Sequence, residues 1–219
     1  DGTVTLDGTT IAHNTHLAGW ECSVVCGREV IVVDSEILDN PSGDPLPDTM
    51  PIIENPYSFH IEGDVAIYGI ETVLVERSTI EGNSGIYGAA SGGEGTVRDS
   101  LIHRNAGHCG SVSADSLLIE RSTFSGNFTG ACSAITVGAG YSPSDGSVDQ
   151  TTLTNNHGNG AILVFGGDLE LRRSTITDNP GWGGGGGLWI LDGTATVRSS
   201  TIAGNRPASD DADPDYLAE

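Results

Sequence analysis

The sequence contains no lysine and few aromatic residues. All nine basic residues are arginines, against 30 Asp and Glu, and the formal net charge is −21 at pH 7. A chain this negative repels the phosphate backbone of nucleic acids and the anionic surface of membranes, so we expect neither as a partner. The chain also lacks a run of about 18 apolar residues, so no membrane insertion is predicted. The partners that remain are cations, glycans and other proteins.

Glycine is abundant instead. The chain has 32 glycines in 219 residues and only 5% aromatic residues, which is unusual for an ordinary globular core. Yet 37% of the residues are hydrophobic, which is too much for a disordered chain. The composition therefore indicates a regular architecture made of small residues, in one domain or at most two.

Eight segments share one pattern that ends in an asparagine. Counting back from each asparagine, the third residue is Ile, Leu or Phe, the fifth is Ser or Thr, and the eighth is aliphatic. The seventh residue back is charged in seven of the eight copies. This pattern fits short strands whose side chains alternate between an apolar interior and solvent. The eight asparagines are Asn14, Asn40, Asn83, Asn105, Asn127, Asn156, Asn179 and Asn205, at intervals of 26, 43, 22, 22, 29, 23 and 26 residues.

Glycine-rich segments follow several of the asparagines, at 85–91, 160–166 and 186–193, and supply a third strand. We predict an all-β fold, a single-stranded right-handed parallel β-helix of about eight to nine coils with three short strands per coil. A leucine-rich repeat has a similar period, but it needs more leucine and a helix where this chain has glycine. The asparagines are expected to adopt left-handed backbone at a corner and to form a structural ladder of amide hydrogen bonds.

The interval between Asn40 and Asn83 interrupts the repeat. It holds five of the nine prolines, and proline cannot donate to a strand ladder. We therefore predict a β-helix over residues 1–206 with an insertion at about 41–70, followed by an acidic tail over 207–219. The chain begins at Asp1 rather than Met, as a processed mature protein or an excised domain does, and the sequence leaves both open.

The STIxxN-like copies and their glycine-rich third strands resemble those of secreted right-handed parallel β-helix proteins. This architecture is shared by pectate lyases, polygalacturonases and many bacterial surface proteins and adhesins. The resemblance covers roughly residues 2–206 and implies the fold much more than an activity.

An enzymatic site has little support in that comparison. Pectate lyases hold calcium with acidic residues beside a basic one, and the nearest counterpart here is Glu76, Arg98 and Glu120, which we interpret as a surface ion-pair ladder. Polygalacturonases combine aspartates with His-Gly and Arg-x-Lys elements. His157-Gly158 matches one of these, and no lysine completes the last. We predict no catalytic residues and a protein that is not an enzyme.

The four cysteines indicate two disulfides. Cys109 and Cys132 follow their asparagines by four and five residues, which places them on adjacent coils within disulfide reach. Cys22 and Cys26 are close enough in sequence to form a local loop. Two disulfides imply an oxidising, extracellular setting at or outside the cell surface.

Two groups of residues are candidates for a metal. The tail carries aspartates with a spacing that suits calcium, although acidic tails are usually only solvated. These are Asp210, Asp211, Asp213 and Asp215. His103 and His108 flank Asn105 and are the alternative ligands. No other cofactor is predicted.

The strand pattern runs from about Thr3 to Ile202, with no amphipathic helix to cap it. Repeat proteins normally need caps, so the pattern predicts excision from a longer rod or end-to-end stacking. We predict an extracellular structural or surface-assembly protein, a fibre subunit whose partner is a further copy in a head-to-tail homopolymer. The alternative is a secreted glycan-active or glycan-binding β-helix that stacks sugars on Trp20, Trp182 and Trp189.

Overall fold

In a computed structural model of the chain, all regular secondary structure of the described part is β-strand. The structure describes residues 2–14, 24–40, 66–85, 90–107, 110–130, 132–138, 144–181 and 185–207. None of these ranges contains a helix that could span a membrane. The strands are β1 Thr3–Asp7, β2 Thr10–Ala12, β3 Val25–Val33, β4 Glu36–Leu38, β5 Ile67–Glu76, β6 Thr79–Glu81, β7 Ser84–Gly85, β8 Ala90–Arg98, β9 Leu101–His103, β10 Ala106–Gly107, β11 Val112–Glu120, β12 Thr123–Ser125, β13 Phe128–Thr129, β14 Ile135–Val137, β15 Gly146–Asp149, β16 Thr152–Thr154, β17 Ile162–Val164, β18 Asp168–Arg172, β19 Thr175–Thr177, β20 Pro180–Gly181, β21 Leu188–Ile190, β22 Thr194–Arg198, β23 Thr201–Ala203 and β24 Arg206–Pro207.

The strands stack in parallel, each on the equivalent strand of the next coil. One eight-stranded sheet, in the order β2-β4-β6-β9-β12-β16-β19-β23, takes one strand from each repeat copy. An eleven-stranded sheet starts as β1-β3-β5-β8-β11 and then divides, because the first half of β11 pairs with β14 and the second half with β15. The predicted all-β parallel β-helix is confirmed.

A third face consists of two-residue strands directly after the asparagines. It comprises β7, β10 and β13, the pair β20 and β24, and two isolated bridges, which join Phe128 to His157 and Gly158 to Gly181. Six of the eight stacked copies have a described strand or bridge on this third face, so the described chain forms about six complete turns, fewer than the eight to nine coils predicted. The sequence pattern did not predict these very short strands. The leucine-rich alternative is wrong, because the described part of the chain has strands throughout and no helix.

The apolar positions of the repeat fill the interior, as predicted. In the six middle copies, the third and eighth residues before the asparagine are at most 1% exposed. Burying one such side chain contributes about 1.5–3 kcal/mol, so these two rows supply much of the stability of the rod. The residues are Ile37, Ile80, Ile102, Phe124, Leu153 and Ile176 in one row, and Val32, Val75, Val97, Ile119, Val148 and Leu171 in the other.

Left-handed backbone marks two corners in each coil. All twelve described non-glycine residues with a positive φ lie six residues or one residue before an asparagine, and glycine takes the remaining four of these sixteen positions. None of the eight asparagines, all of which are described, has a positive φ. The prediction that asparagine itself adopts the left-handed conformation was therefore wrong. The preceding residue makes the turn, and the asparagine side chain then points inward. The residues at this second corner are His13, Asp39, Gly82, Arg104, Gly126, Asn155, Asp178 and Gly204.

Strand β5 begins at Ile67, inside the range assigned to the insertion. Residues 41–65 and the tail 208–219 lie outside the described residues. The division into β-helix, insertion and tail therefore stays a prediction.

Candidate functional site

The ladder asparagines form one continuous hydrogen-bonded row along the rod. In the first seven copies, the side-chain Nδ2 donates to Oδ1 of the asparagine in the next coil at 2.8–3.2 Å. The backbone N–H donates to the same Oδ1 at 2.9–3.2 Å. From the second copy onward, Nδ2 also donates to a carbonyl of the preceding coil at 2.8–3.3 Å. The six middle side chains are at most 1% exposed, and these bonds satisfy them.

A second row of hydroxyl groups runs parallel to the first. In the first seven copies, the backbone N–H at the fifth position before the asparagine donates to the hydroxyl of the next copy at 3.0–3.4 Å. Each hydroxyl donates in turn to the carbonyl two residues earlier in its own coil. The sequence predicted inward hydroxyls but not this row of bonds. Its members are Thr9, Ser35, Ser78, Ser100, Ser122, Thr151, Ser174 and Ser200.

Both ladders have a direction. The bonds to side-chain oxygens all run one way between coils: the earlier copy provides the N–H donor and the later copy provides the side-chain oxygen that accepts. In the first described coil, Oδ1 of Asn14 therefore has no donor, and in the last one the backbone N–H of Asn205 has no acceptor. The hydroxyl ladder ends in the same way among the described residues: Thr9 Oγ1 accepts no bond from a neighbouring coil, and the backbone N–H of Ser200 has no acceptor. In these two ladders, the first described coil thus offers side-chain oxygen acceptors, and the last one offers the N–H donors that such oxygens bind.

The last described coil also exposes the apolar interior. Val197 is 44% exposed and Ile202 is 43% exposed, whereas the equivalent residues of the six preceding coils are at most 1% exposed. A hollow of about 440 Å³ opens there, lined by residues 185–188 and 202–205. In the first described coil, Leu6 and Ile11 are only half-buried against the core. Within the described residues, no side chain covers either surface.

Of the charged row predicted on the outer face, Arg98 and Glu120 form an ion pair, while Glu76 pairs with Arg77 of its own coil. Glu76, Arg98 and Glu120 lie side by side on β5, β8 and β11, and Arg98 Nε is 3.0 Å from Glu120 Oε2. Similar exposed pairs join Arg77 to Asp34, Arg121 to Asp99 and Arg173 to Asp149. Hydrogen bonds from these arginines lower the pKa of each of the three aspartates. A general acid needs the opposite shift.

His157 and Gly158, the one element shared with polygalacturonases, have structural contacts. The ring of His157 stacks on that of Phe128, with centroids 6.4 Å apart. Its carbonyl accepts from the backbone N–H of Thr129 at 2.8 Å. Burial, with a smaller effect of the nearby positive Arg206, lowers the pKa of His157 to about 4. A Cβ on Gly158 would lie 1.9 Å from Thr129 Oγ1, so this close approach requires glycine.

Comparison with known proteins finds no matching family model, no similar curated protein and no similar solved structure. The β-helix is therefore established by the strand pairing alone. A pectate-lyase-like or adhesin-like identity stays a prediction from the resemblance.

Of the six candidate metal ligands, only His103 lies in the described part. No group of three or more His, Cys, Asp or Glu side chains there could hold a metal ion. His103 Nδ1 instead lies 2.8 Å from the Ser125 hydroxyl. His108 lies outside the described residues, and so do Asp210, Asp211, Asp213 and Asp215. Calcium binding by the tail therefore stays a prediction.

The structure describes two of the four cysteines predicted to form disulfides and one of the three tryptophans predicted to stack on sugars. Neither Cys26 nor Cys132 is a free thiol. The pairings with Cys22 and Cys109 stay predictions, because those two lie outside the described residues.

Trp189 is half-buried on β21 beside Leu163 of β17. Trp20 and Trp182 lie outside the described part.

Proposed function

We propose that this chain is a structural subunit of an extracellular surface assembly, and that it joins other subunits through the open ends of its β-helix. The observation that carries the proposal is the exposure of Val197 and Ile202 in the last described coil. Apolar side chains at inward positions lose stabilisation when water reaches them, and unpaired ladder donors beside them lose hydrogen bonds. A coil stacked at the normal strand spacing of about 4.8 Å would restore both.

The outer surface supports a structural role over a catalytic one. Asp34, Asp99 and Asp149 are engaged by arginines, which keeps these carboxylates ionised. Glycoside hydrolysis needs a carboxyl group with a raised pKa close to a second carboxylate. The described histidine with the largest shift, His157, is held in a stacking contact instead.

An extracellular location fits two further features. The described cysteines are not free thiols, and disulfides persist mainly in oxidising compartments. A net charge of −21 keeps separate rods soluble and limits nonspecific contact.

The glycan alternative has weaker support. It relied on a surface of three tryptophans, and the one that is described, Trp189, is half-buried. Assays for reducing sugars and unsaturated products on a polysaccharide panel would reveal a glycan-active enzyme, and binding to the same panel would reveal a lectin-like role.

Self-association of the purified chain tests the proposal. We expect sedimentation velocity and electron microscopy to show rod-like oligomers whose length grows with concentration. Ile202→Arg places a charge on the stacking surface and should leave monomers. Ile70→Arg is the matched control, because Ile70 is 59% exposed and lies at neither end of the stack of strands. A chain that stays monomeric at high concentration, with and without calcium, would contradict the proposal.

A further inference from the structure

We infer that two copies join head to tail in the register of the repeat, so that Asn205 of one copy contacts Asn14 of the next as if the ladder continued. The inference rests on the proposed function and specifies the partner and the geometry of the junction. Three features of the two ends support it: the direction of the two hydrogen-bond ladders, the match of the end-strand side chains and one charged pair.

The direction of the hydrogen-bond ladders selects this polarity. Asn205 has a free backbone N–H and a free Nδ2 hydrogen, and Asn14 has a free Oδ1, among the described residues. In the interior, these same groups bond to each other in every pair of neighbouring coils. Two first coils facing each other would oppose acceptor to acceptor, and two last coils would oppose donor to donor. Only a head-to-tail junction completes both ladders.

The hydroxyl ladder gives the same result at a second position. The backbone N–H of Ser200 would donate to Thr9 Oγ1 of the next copy, as Ser174 N–H donates to Ser200 Oγ at 3.1 Å within the rod. The two ladders belong to one strand pattern, so a single register satisfies both. A shift by one residue would place the inward side chains of one joining strand beside the outward side chains of the other.

The side chains of the two end strands also match. In this register Ile202 contacts Ile11, and threonines on the outer face meet threonines, which is a favourable cross-strand pair. Inside the rod, Ile176 is covered by Ile202 in the same way and is fully buried. The opposed residues are Thr194 with Thr3, Thr196 with Thr5, Thr201 with Thr10, Ile202 with Ile11, and Ala203 with Ala12.

One charged pair completes the match. Arg198 lies beside Arg172 on the neighbouring strand, and it has no ion pair among the described residues. Asp7, at the same position of the first described coil, likewise has none. The head-to-tail junction places Asp7 of the next copy opposite Arg198. A symmetric junction joins two first coils or two last coils, so it cannot bring Asp7 opposite Arg198.

The acidic tail of the chain suits the surface of the last described coil less well than a second copy does. Residues 206–219 contain no asparagine and four aspartates, so they cannot extend the asparagine ladder. A second copy provides the acceptors in the required order. The repeated heterologous contact then generates an open filament rather than a closed dimer.

Disulfide trapping tests the polarity. Thr10 and Thr201 are exposed, and neighbouring strands are about 4.8 Å apart, within the range that a disulfide spans. We expect an oxidised equal mixture of Thr10→Cys and Thr201→Cys chains to give a linked dimer on a non-reducing gel. Each single variant alone should give none above the wild-type background, and the double variant should give a series of longer oligomers.

The outcomes separate the inference from the proposed function. If sedimentation shows oligomers but a single variant links to itself, the junction is symmetric; the inference then fails and the structural function stands. Oligomers without any link in the mixture also reject the register. If all chains remain monomeric, both fail.

Charge reversal gives a second readout. Arg198→Asp should weaken association about tenfold, and addition of Asp7→Arg in the same chain should restore it. Equal affinity for all three chains would contradict the predicted pairing of Arg198 with Asp7.

Discussion

At the scale of single residues, asparagine is suited to the ladder because one short side chain carries both a donor and an acceptor. Oδ1 of Asn127 accepts two bonds from the preceding coil, while its Nδ2 donates to Ile102 O and to the next asparagine. Aspartate would supply only acceptors and would place a row of charges in the interior. The asparagine at the end of this repeat therefore meets a hydrogen-bonding requirement of the stacked coils.

His157 makes stability depend on pH. Its pKa is lowered to about 4 in the fold from 6.5, so the unfolded chain binds this proton more readily. The contribution of neutral His157 to the free energy of unfolding is therefore fully present above pH 6.5. It decreases by up to about 3 kcal/mol as the pH falls towards 4. His157→Gln should remove this part of the dependence in urea titrations across that range. The wild type also loses aspartate ion pairs in acid, so the two proteins are compared at each pH. If the free energy of unfolding of the two proteins changed in parallel between pH 6.5 and 4, the role of His157 would be contradicted.

At the scale of strands and turns, the sequence predicted the features that recur in every copy of the repeat. It missed those that depend on variable residues or on contacts between coils. The inward rows, the parallel stacking and the ladder follow from side-chain class at fixed offsets, so eight copies were enough to find them. The left-handed corner before the asparagine was missed because His13, Arg104 and Asp178 occupy it as well as glycine. The division of the large sheet after β11 depends on contacts between coils, which no single copy shows. The direction of the ladders likewise required atomic positions.

The ladder predicts a position-dependent effect of mutation. Asn127→Ala removes the acceptor of two Asn105 donors and the donor to Ile102 O, all of them buried. Because each unsatisfied buried group costs about 1–3 kcal/mol, we expect a loss of at least about 3 kcal/mol. Asn14→Ala is the control, since Asn14 is exposed and should cost less than about 1 kcal/mol. Urea denaturation followed by circular dichroism measures both, and equal losses would show that burial in the ladder does not decide the effect.

At the scale of the whole molecule, a solenoid is stabilised by contacts between nearest neighbours. Each inner coil of this rod has two neighbours, whereas the first and last described coils have one. Their greater exposure follows from this arrangement, and so does the expectation that hydrogen exchange is fastest there. Joining two rods would turn two weak coils into interior ones, which couples assembly to stability.

Net charge opposes this assembly and makes it dependent on salt. Each copy carries a net charge of −21, so two rods repel each other at long range. The attraction between Arg198 and Asp7 acts only at short range. Salt shortens the screening length from about 30 Å at 0.01 M to about 10 Å at 0.1 M, which weakens the long-range repulsion more than the adjacent pair. We therefore expect sedimentation equilibrium to show stronger association as sodium chloride rises, with the larger increase for Arg198→Asp because that variant adds repulsion at the junction. If salt dissociated the wild-type oligomers, local ion pairs would dominate the contact, and an apolar, hydrogen-bonded junction between coils would be the wrong account of how these rods join.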